Sequence, residues 1–276
     1  MSWTSQAEGL IRFYDTAAAD APRPALLWLH GGGFAGGSID MPEADAVARG
    51  LAARGIAVAS VDYRLAGPGT RYPAPSDDAV AAWHWFAAHL EALHLDPSRT
   101  AIGGASAGGN LAAGALLRLP HPGPRPAAAV LAYPTLLAVQ PLPGPALRAA
   151  LDADPDADRF GPDVVRAMYE GFLGGPVERA PLAAVPGTAS PEDLAGYPPV
   201  LMVNGDVDEL RVSGEHFARL LHAAGRPVLV HLEPGTTHGH LNRPGEAAFG
   251  ATLERIAAYL HGLPVTAVTG LPVAHA

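Results

Sequence analysis

Cysteine is missing from this chain of 276 residues. Without thiols the protein can build neither a disulfide framework nor a thiolate metal site. Such a composition fits a reducing compartment, so a cytoplasmic protein is the expectation.

Basic charge is scarce as well, because 18 arginine and lysine residues stand against 27 acidic ones, for a formal net charge of −9. The arginines are scattered along the chain rather than gathered into the basic stripe that binding to a phosphate backbone requires. We therefore expect no nucleic-acid partner.

Long apolar runs are also lacking, since no segment approaches the roughly 18 apolar residues of a membrane span. The first residues contain no basic start followed by an apolar stretch, as a secretory signal would. A membrane is therefore not an expected partner. What the chain does have is 49% hydrophobic residues and 16% charged ones. That is enough for one large core, and residues 1–276 are interpreted as a single domain.

Short, nearly continuous apolar runs alternate with helical patterns along the chain. Such runs are typical of strands that are covered on both faces. Helices are predicted at residues 77–93, 110–119 and 246–262. The alternation predicts an α/β fold, a mostly parallel sheet with helices on both sides. The predicted strands are residues 10–14, 25–30, 56–63, 100–103, 128–133, 200–204 and 228–233.

Residues 135–199 interrupt this alternation with a long stretch rich in Pro, Ala and Asp. A loop of that length is usually functional or has structure of its own. We interpret it as a cap-forming insertion over one edge of the sheet, with a helical pattern only near residues 162–173. A disordered excursion is the weaker alternative, because it would leave an apolar helix face in water. The residues on that face are Val164, Val165, Met168, Tyr169 and Phe172.

The motif Gly-Ala-Ser-Ala-Gly at residues 104–108 lies where a short predicted strand turns into an Ala-rich helix. Glycines two residues before and after Ser106 leave room for the tight, strained turn that lifts a serine hydroxyl above the sheet. The first amides of the helix favour an anion at the same place. A chance match in a chain rich in Gly and Ala is the alternative, and the flanking strand and helix make it weak. Ser106 is therefore the predicted nucleophile.

A serine hydroxyl needs a general base, and the base needs an orienting carboxylate. With a serine on such a turn, the acid and then the histidine follow on loops after later strands. Asp206 and Asp208 follow one of the later predicted strands, and His238 and His240 follow the next. The order favours a Ser, Asp, His triad and leaves two acids open. A metal site built from these four residues is the weaker hypothesis, because it would leave the serine turn unexplained.

A run of three glycines, residues 31–33, follows His30 at the end of an early predicted strand. When serine attacks a carbonyl, the oxygen becomes an anion that preorganised N–H donors must stabilise. Ala107, directly after the nucleophile, offers one such amide. We expect the glycine run to supply the others, since side chains there would block the substrate. A nucleotide-binding loop is disfavoured, because neither G-x-G-x-x-G nor a G-K-[ST] ending is present.

Taken together, these motifs resemble the hormone-sensitive-lipase-like branch of the α/β-hydrolases, the bacterial carboxylesterases with an HGGG oxyanion loop. The resemblance runs from about residue 10 to residue 260 and depends on an ordered combination that is more specific than any single motif. The motifs are HGGG at 30–33, VDYRLA at 61–66, GASAGGNLA at 104–112, DELR at 208–211 and THGH at 237–240.

The resemblance implies an α/β-hydrolase fold and a serine carboxylesterase acting on small esters, with no cofactor and no metal. Ser106 would be the nucleophile and His238 the general base. The family's acid precedes a Leu-Arg pair, which implies Asp208 rather than Asp206 as the residue that orients the base. The oxyanion amides implied by the family are those of Gly32, Gly33 and Ala107.

Some positions depart from the family pattern. Ala105 replaces the acid that usually precedes the nucleophile, and His240 stands where phenylalanine is usual. Only nine residues precede the first predicted strand, too few for the two helices that usually complete the cap. The cap must then come from residues 135–199, and we expect it to favour acyl groups from acetyl to butyryl. Incomplete cover leaves apolar surface near the mouth, which makes a homodimer a candidate assembly.

Other functions stay open on the sequence. Hydrolysis of an amide or a formamide, as in an arylformamidase, uses the same triad and differs in the leaving group and the pocket. A ligand receptor without catalysis is also known on this fold, but an intact Ser, Asp, His set argues against it. Fold alone does not separate these alternatives.

Overall fold

The structure is a computed structural model that describes residues 3–15 and 21–263. Its described residues form a sheet in the order β1-β2-β4-β3-β5-β6-β7-β8. The pairs β1–β2 and β2–β4 are antiparallel, and the remaining pairs are parallel. The strands are β1 (Trp3–Gln6), β2 (Ile11–Tyr14), β3 (Arg23–Leu29), β4 (Ala57–Val61), β5 (Leu95–Ala105), β6 (Ala128–Ala132), β7 (Val200–Val207) and β8 (Val228–Thr237).

Helices cover both faces of this sheet. Helices α1 and α7 pack on one face, and α2, α3, α5 and α6 contribute to the core on the other. Central strands such as β3 are buried along their whole length, which explains their continuous apolar composition. The α/β prediction is therefore confirmed. The helices are α1 (Pro42–Ala52), α2 (Ala74–His89), α3 (Ala107–Arg118), α4 (Pro145–Ala153), α5 (Pro162–Leu173), α6 (Arg211–Ala223) and α7 (Ala247–His261).

Strand β1 corrects the prediction that the first strand begins at residue 10. It pairs antiparallel with β2 at the sheet edge, with Trp3 opposite Tyr14. Its residues are exposed or partly exposed. An edge strand of this kind needs no apolar run, so hydrophobic periodicity does not reveal it.

The insertion, residues 135–199, contains more helix than the prediction allowed. Besides α5 it contains α4 and three short 3-10 turns, at Val177–Arg179, Leu182–Ala184 and Pro186–Thr188. Helix α4 buries only Leu147 and Leu151, a pattern too sparse to be recognised among prolines and alanines.

The buried face of α5 also differs from the predicted one. Val165, Tyr169 and Phe172 are buried, but Val164 is 53% exposed. Buried positions four and three residues apart follow the helical repeat, and Val164 lies beyond the edge of that stripe. Val164 was therefore wrongly assigned to the apolar face. Among the described residues, no helix is both long and apolar enough to cross a bilayer.

Candidate active site

Three side chains meet at the carboxyl edge of the sheet. Ser106 follows β5, Asp208 follows β7 and His238 follows β8, and parallel strands bring their carboxyl ends to one edge. His238 Nε2 lies 3.0 Å from Ser106 Oγ, and His238 Nδ1 lies 2.8 Å from Asp208 Oδ2. Asp208 is fully buried, whereas Ser106 and His238 are 7% and 8% exposed. The hydroxyl and the imidazole therefore keep a small accessible surface.

The turn that carries Ser106 has an unusual backbone. Its φ of 53° and ψ of −118° are costly for a residue with a side chain. The Ser106 amide donates to the carbonyl of Ala132 at 2.9 Å, which holds the turn against the neighbouring strand. A Cβ on Gly104 would overlap the backbone of Gly108, and one on Gly108 would overlap the carbonyl of Leu29. The two glycines of the motif are thus required by close backbone packing.

The amides of Gly32, Gly33 and Ala107 are free of internal acceptors: over residues 3–15 and 21–263, none of them donates a hydrogen bond. Gly32 and Gly33 have φ values of 119° and 60°, where a side chain is strained. Ala107 is the first residue of α3, so its amide contributes to the positive end of the helix dipole. These N–H groups are suited to bind an anion.

His30 anchors the start of the glycine loop. Its ring stacks on that of Tyr63 with centroids 4.4 Å apart, and the Tyr63 hydroxyl donates to the His30 carbonyl at 2.8 Å. His30 Nδ1 lies 2.7 Å from the carbonyl oxygen of Gly31. Burial lowers the pKa of His30 below its usual value, so the ring is neutral at pH 7. It therefore stabilises the loop without adding charge to the site.

The two acids after β7 have different partners. Asp208 contacts His238 and also accepts the Leu210 amide at 2.9 Å. Asp206 instead accepts the amides of Gly235 and Thr236, at 2.8 and 3.0 Å. Asp206 thereby fastens the turn that precedes the histidine, and only Asp208 reaches the imidazole.

Two aromatic rings that sequence reasoning missed hold His238 from the sides. The rings of Tyr133 and Phe160 lie edge-on to the imidazole, with centroids 5.0 and 4.5 Å away. Phe160 belongs to the insertion and is fixed by its amide, which donates to the carboxylate of Glu209. Neither ring belongs to a motif. The only sequence signals were that Tyr133 lies at the end of a predicted strand and that Phe160 shortly precedes the apolar helix α5.

His240 lies outside the triad, behind Tyr133. Its ring is 5.1 Å from that of Tyr133, and its Nε2 is 2.9 Å from the hydroxyl of Thr252. Burial lowers the pKa of His240 to about 4. His240 is therefore a neutral, buried group that packs behind the site.

The insertion covers the glycine loop. Phe172 of α5 stacks on Phe34 with centroids 4.0 Å apart and an interplanar angle of 7°. Met168 Sδ lies 3.3 Å from the position that a Cβ on Gly33 would occupy. Met168 is partly buried, whereas Val165, Tyr169 and Phe172 are wholly inside the core. Of the residues assigned to the apolar face of α5, Met168 is thus the one that lies next to Gly33 and remains partly exposed.

Comparison with known proteins gives consistent similarities. A family profile described as the alpha/beta hydrolase fold matches residues 26–242. The carboxylesterase NlhH of Mycobacterium tuberculosis is 37% identical over 222 residues, which are 79% of this chain and 67% of that protein. The ethyl acetate hydrolase of Pseudomonas putida is 34% identical over 238 residues, which are 81% of this chain and 67% of that protein.

Solved structures agree with these sequence similarities. Carboxyl esterase 2 of the fungus Tuber melanosporum superimposes with a TM-score of 0.76 at 30% identity, covering 91% of this chain and 81% of that one. The family profile, over residues 26–242, includes all three side chains and the whole insertion.

Proposed function

This chain belongs to the α/β-hydrolase-fold family of carboxylesterases that its motifs resemble, and on that premise we propose that it hydrolyses short-chain esters with Ser106, His238 and Asp208 as its triad. The predicted family and fold are confirmed by the profile match and by the esterase relatives. The chain is a serine hydrolase of carboxylic esters. The individual roles of its residues are the proposal.

The observation that carries the proposal is the hydrogen-bonded series from Ser106 through His238 to Asp208. A proton on Nδ1, donated to the buried carboxylate, leaves Nε2 free to accept the serine proton. Ser106 Oγ then attacks the ester carbonyl carbon while its proton passes to Nε2. The C–O bond to the alcohol breaks, and the alcohol leaves with that proton. Water attacks the acyl-serine in the same way, which releases the carboxylic acid and restores the serine hydroxyl.

The charge that develops on the carbonyl oxygen would be stabilised by the amides of Gly32, Gly33 and Ala107. Their freedom from internal acceptors supports this role. Donors fixed before the reaction need no reorganisation as the oxyanion forms. This chemistry uses side chains and main-chain amides, so the proposed reaction takes no cofactor and no metal.

We propose that residues 135–199 form a cap in one domain with the sheet. Residues 3–6 form strand β1, so among the described residues the insertion supplies the cover. Met168 over Gly33 and Phe160 beside His238 support short acyl groups. The relative from Pseudomonas putida, an ethyl acetate hydrolase, points the same way.

A homodimer and a cytoplasmic location belong to the same proposal. Val139, Leu142 and Val164 of the insertion are 59%, 78% and 53% exposed, and apolar surface of this kind is suited to a second subunit. The absence of cysteine fits the reducing compartment that this location implies. Sedimentation of the purified chain and fractionation of cells test the two points.

Replacing the nucleophile tests the proposed triad. Ser106→Ala should fold as the wild type does and lose p-nitrophenyl butyrate hydrolysis by about four orders of magnitude or more, as happens when a triad member is removed. His238→Ala should lose a similar factor, and the double variant should be little worse than either one.

Ester turnover that persists in pure Ser106→Ala, or losses that add up in the double variant, would contradict the triad. Formanilides assayed in parallel separate the alternatives. Faster turnover of a formanilide than of the matched ester would indicate a formamidase, and turnover of neither would indicate a receptor.

A further inference from the structure

Glu43, in the first turn of α1, carries a carboxylate that the proposed reaction does not use. The residue is 2% exposed. Its Oε1 accepts the Gly31 amide at 2.6 Å, and its Oε2 accepts the Tyr133 hydroxyl at 2.8 Å and the Asn242 side-chain amide at 3.0 Å. Each partner is a neutral donor. Within the described parts of the chain, no arginine or histidine forms an ion pair with Glu43.

Burying a carboxylate without a neighbouring cation has a large desolvation cost. Burial raises the pKa of Glu43 above its usual value, while the three donors and the nearby His238 act in the opposite direction. Apolar side chains of similar volume would fill the same space without this penalty. The arrangement of its donors therefore suggests what the carboxylate does.

The three donors come from three different segments around the site. Gly31 belongs to the glycine loop, Tyr133 follows β6, and Asn242 lies in the short turn after His238. One side chain thus joins the loop of the proposed oxyanion donors to an aromatic neighbour of the proposed base and to the turn that follows that base. The segments are 12, 90 and 199 residues from Glu43 in the chain.

The contact with Gly31 fixes the direction of the glycine loop. A Cβ on Gly31 would overlap Glu43 Oε1, so glycine is needed for this close approach. The Gly31 amide points to the carboxylate, and the next amides, of Gly32 and Gly33, have no internal acceptor in the described chain. Holding the first amide therefore sets the orientation of the two that follow.

The contact with Tyr133 fixes a neighbour of the base. Tyr133 has a φ of 36°, an uncommon value for a bulky residue. Its ring lies edge-on to His238, and its hydroxyl donates to Glu43. This hydrogen bond holds the ring in a position that the backbone alone would not favour.

We propose that Glu43 is a positioning residue that aligns the oxyanion loop with the general base. The inference rests on the proposed function and adds a residue to it. Glu43 contacts no reacting atom, so its loss should weaken stabilisation of the transition state while ester binding is retained.

Glu43→Gln is the sharpest variant, because it keeps the size of the side chain. Its amide oxygen can still accept from Gly31, but its NH2 group faces two donors, on Tyr133 and Asn242. We expect kcat on p-nitrophenyl butyrate to fall about tenfold to a hundredfold, less than the loss from removing an oxyanion donor outright. KM should stay within about threefold, and the inhibition constant of an alkyl trifluoromethyl ketone should rise as kcat/KM falls.

Asp45→Asn is the matched control on the same helix. Asp45 accepts the Tyr14 hydroxyl at 2.7 Å, much as Glu43 accepts that of Tyr133, but it touches neither the glycine loop nor the base. It should lower the Tm and leave kcat per titrated active site unchanged.

A compensating change separates positioning from simple destabilisation. Asn242→Asp, combined with Glu43→Gln, offers a carboxylate to the new NH2 group and should restore most of kcat and of the ketone affinity. Asn242→Asp alone sets two carboxylates against each other and should be at least as impaired as Glu43→Gln.

The inference is overturned if Glu43→Gln keeps wild-type kcat and ketone affinity. It is equally overturned if the variant loses only Tm and the fraction of titratable sites, as Asp45→Asn does. Failure of the proposed function would give a different result, because Ser106→Ala would then retain ester turnover whatever the kinetics of Glu43→Gln.

Discussion

The carboxyl edge of the sheet and the insertion above it are built in different ways. At the edge, Ser106, Asp208 and His238 lie at the ends of strands that are paired and buried. The insertion consists of two helices and short turns, whose buried side chains, such as Tyr169 and Phe172, pack into the core below it. The edge is therefore determined by strand pairing, whereas the insertion is positioned by side chains packed against the core.

This difference separates chemistry from selectivity. A hydrogen bond of 2.8 Å between two buried or nearly buried groups leaves little freedom for substitution. Met168 is only partly buried in contact with the glycine loop, so its replacement can change the shape of the pocket without moving the triad. Substitutions at the edge should reduce the rate on every ester, and those in the insertion should redistribute rates among esters.

The largest effect should separate the two acids at the edge. Asp208→Asn should lower kcat by about four orders of magnitude, because an amide can hold the imidazole in the wrong tautomer. Asp206→Asn should keep kcat within about tenfold of the wild-type value. It should lower the free energy of unfolding by about 1 kcal/mol, because the weakened hydrogen bonds are those from main-chain amides. Steady-state kinetics and urea unfolding of both variants measure the two quantities. The reverse ranking would assign the orienting role to Asp206.

An effect of intermediate size is expected at His240, behind the edge, and it concerns the free energy of unfolding. Its pKa of about 4 lies below the usual 6.5. Between pH 6.5 and pH 4, therefore, the unfolded chain binds a proton on this histidine and the folded chain does not. The free energy of unfolding is at its full value above pH 6.5 and falls by about 3 kcal/mol as the pH decreases towards 4. His240→Phe should remove this part of the pH dependence.

Urea unfolding at pH 7 and pH 4.5 tests this prediction, with His222→Gln on the exposed surface of α6 as the control. A free energy of unfolding that falls equally in the wild type and in His240→Phe would show that His240 is not the acid-sensitive group.

The smallest effect should come from the insertion. Wild-type kcat/KM should peak between acetyl and butyryl esters and fall by octanoyl, since each further methylene adds up to about 0.8 kcal/mol only while it is covered. Met168→Ala should move the optimum to longer acyl groups, with less than about a tenfold change on the acetyl ester.

Val164→Ala, on the exposed side of the same helix, should leave the acyl profile unchanged. A series of p-nitrophenyl esters from acetyl to dodecanoyl measures both variants. A steady rise in wild-type kcat/KM from butyryl through dodecanoyl would contradict a short pocket.

The sequence by itself determined the central sheet and the order of the functional residues. Buried parallel strands require continuous apolar runs, which is why β3, β4 and β6, buried along their whole length, overlap predicted strands. The glycines around Ser106 could be predicted because backbone packing admits no side chain there. The preference for Asp208 came from the family resemblance, since spacing alone left Asp206 equally suitable.

Only the tertiary structure decided what surrounds these residues. Strand β1 exists through its pairing with β2 at the sheet edge. The exposure of Val164 was decided by which side of α5 packs against the core. Glu43 meets Tyr133 and Asn242 across 90 and 199 residues of chain. Local patterns record the conformation of neighbouring residues and their burial. Contacts between distant segments exist only once the sheet has brought the ends of its strands together.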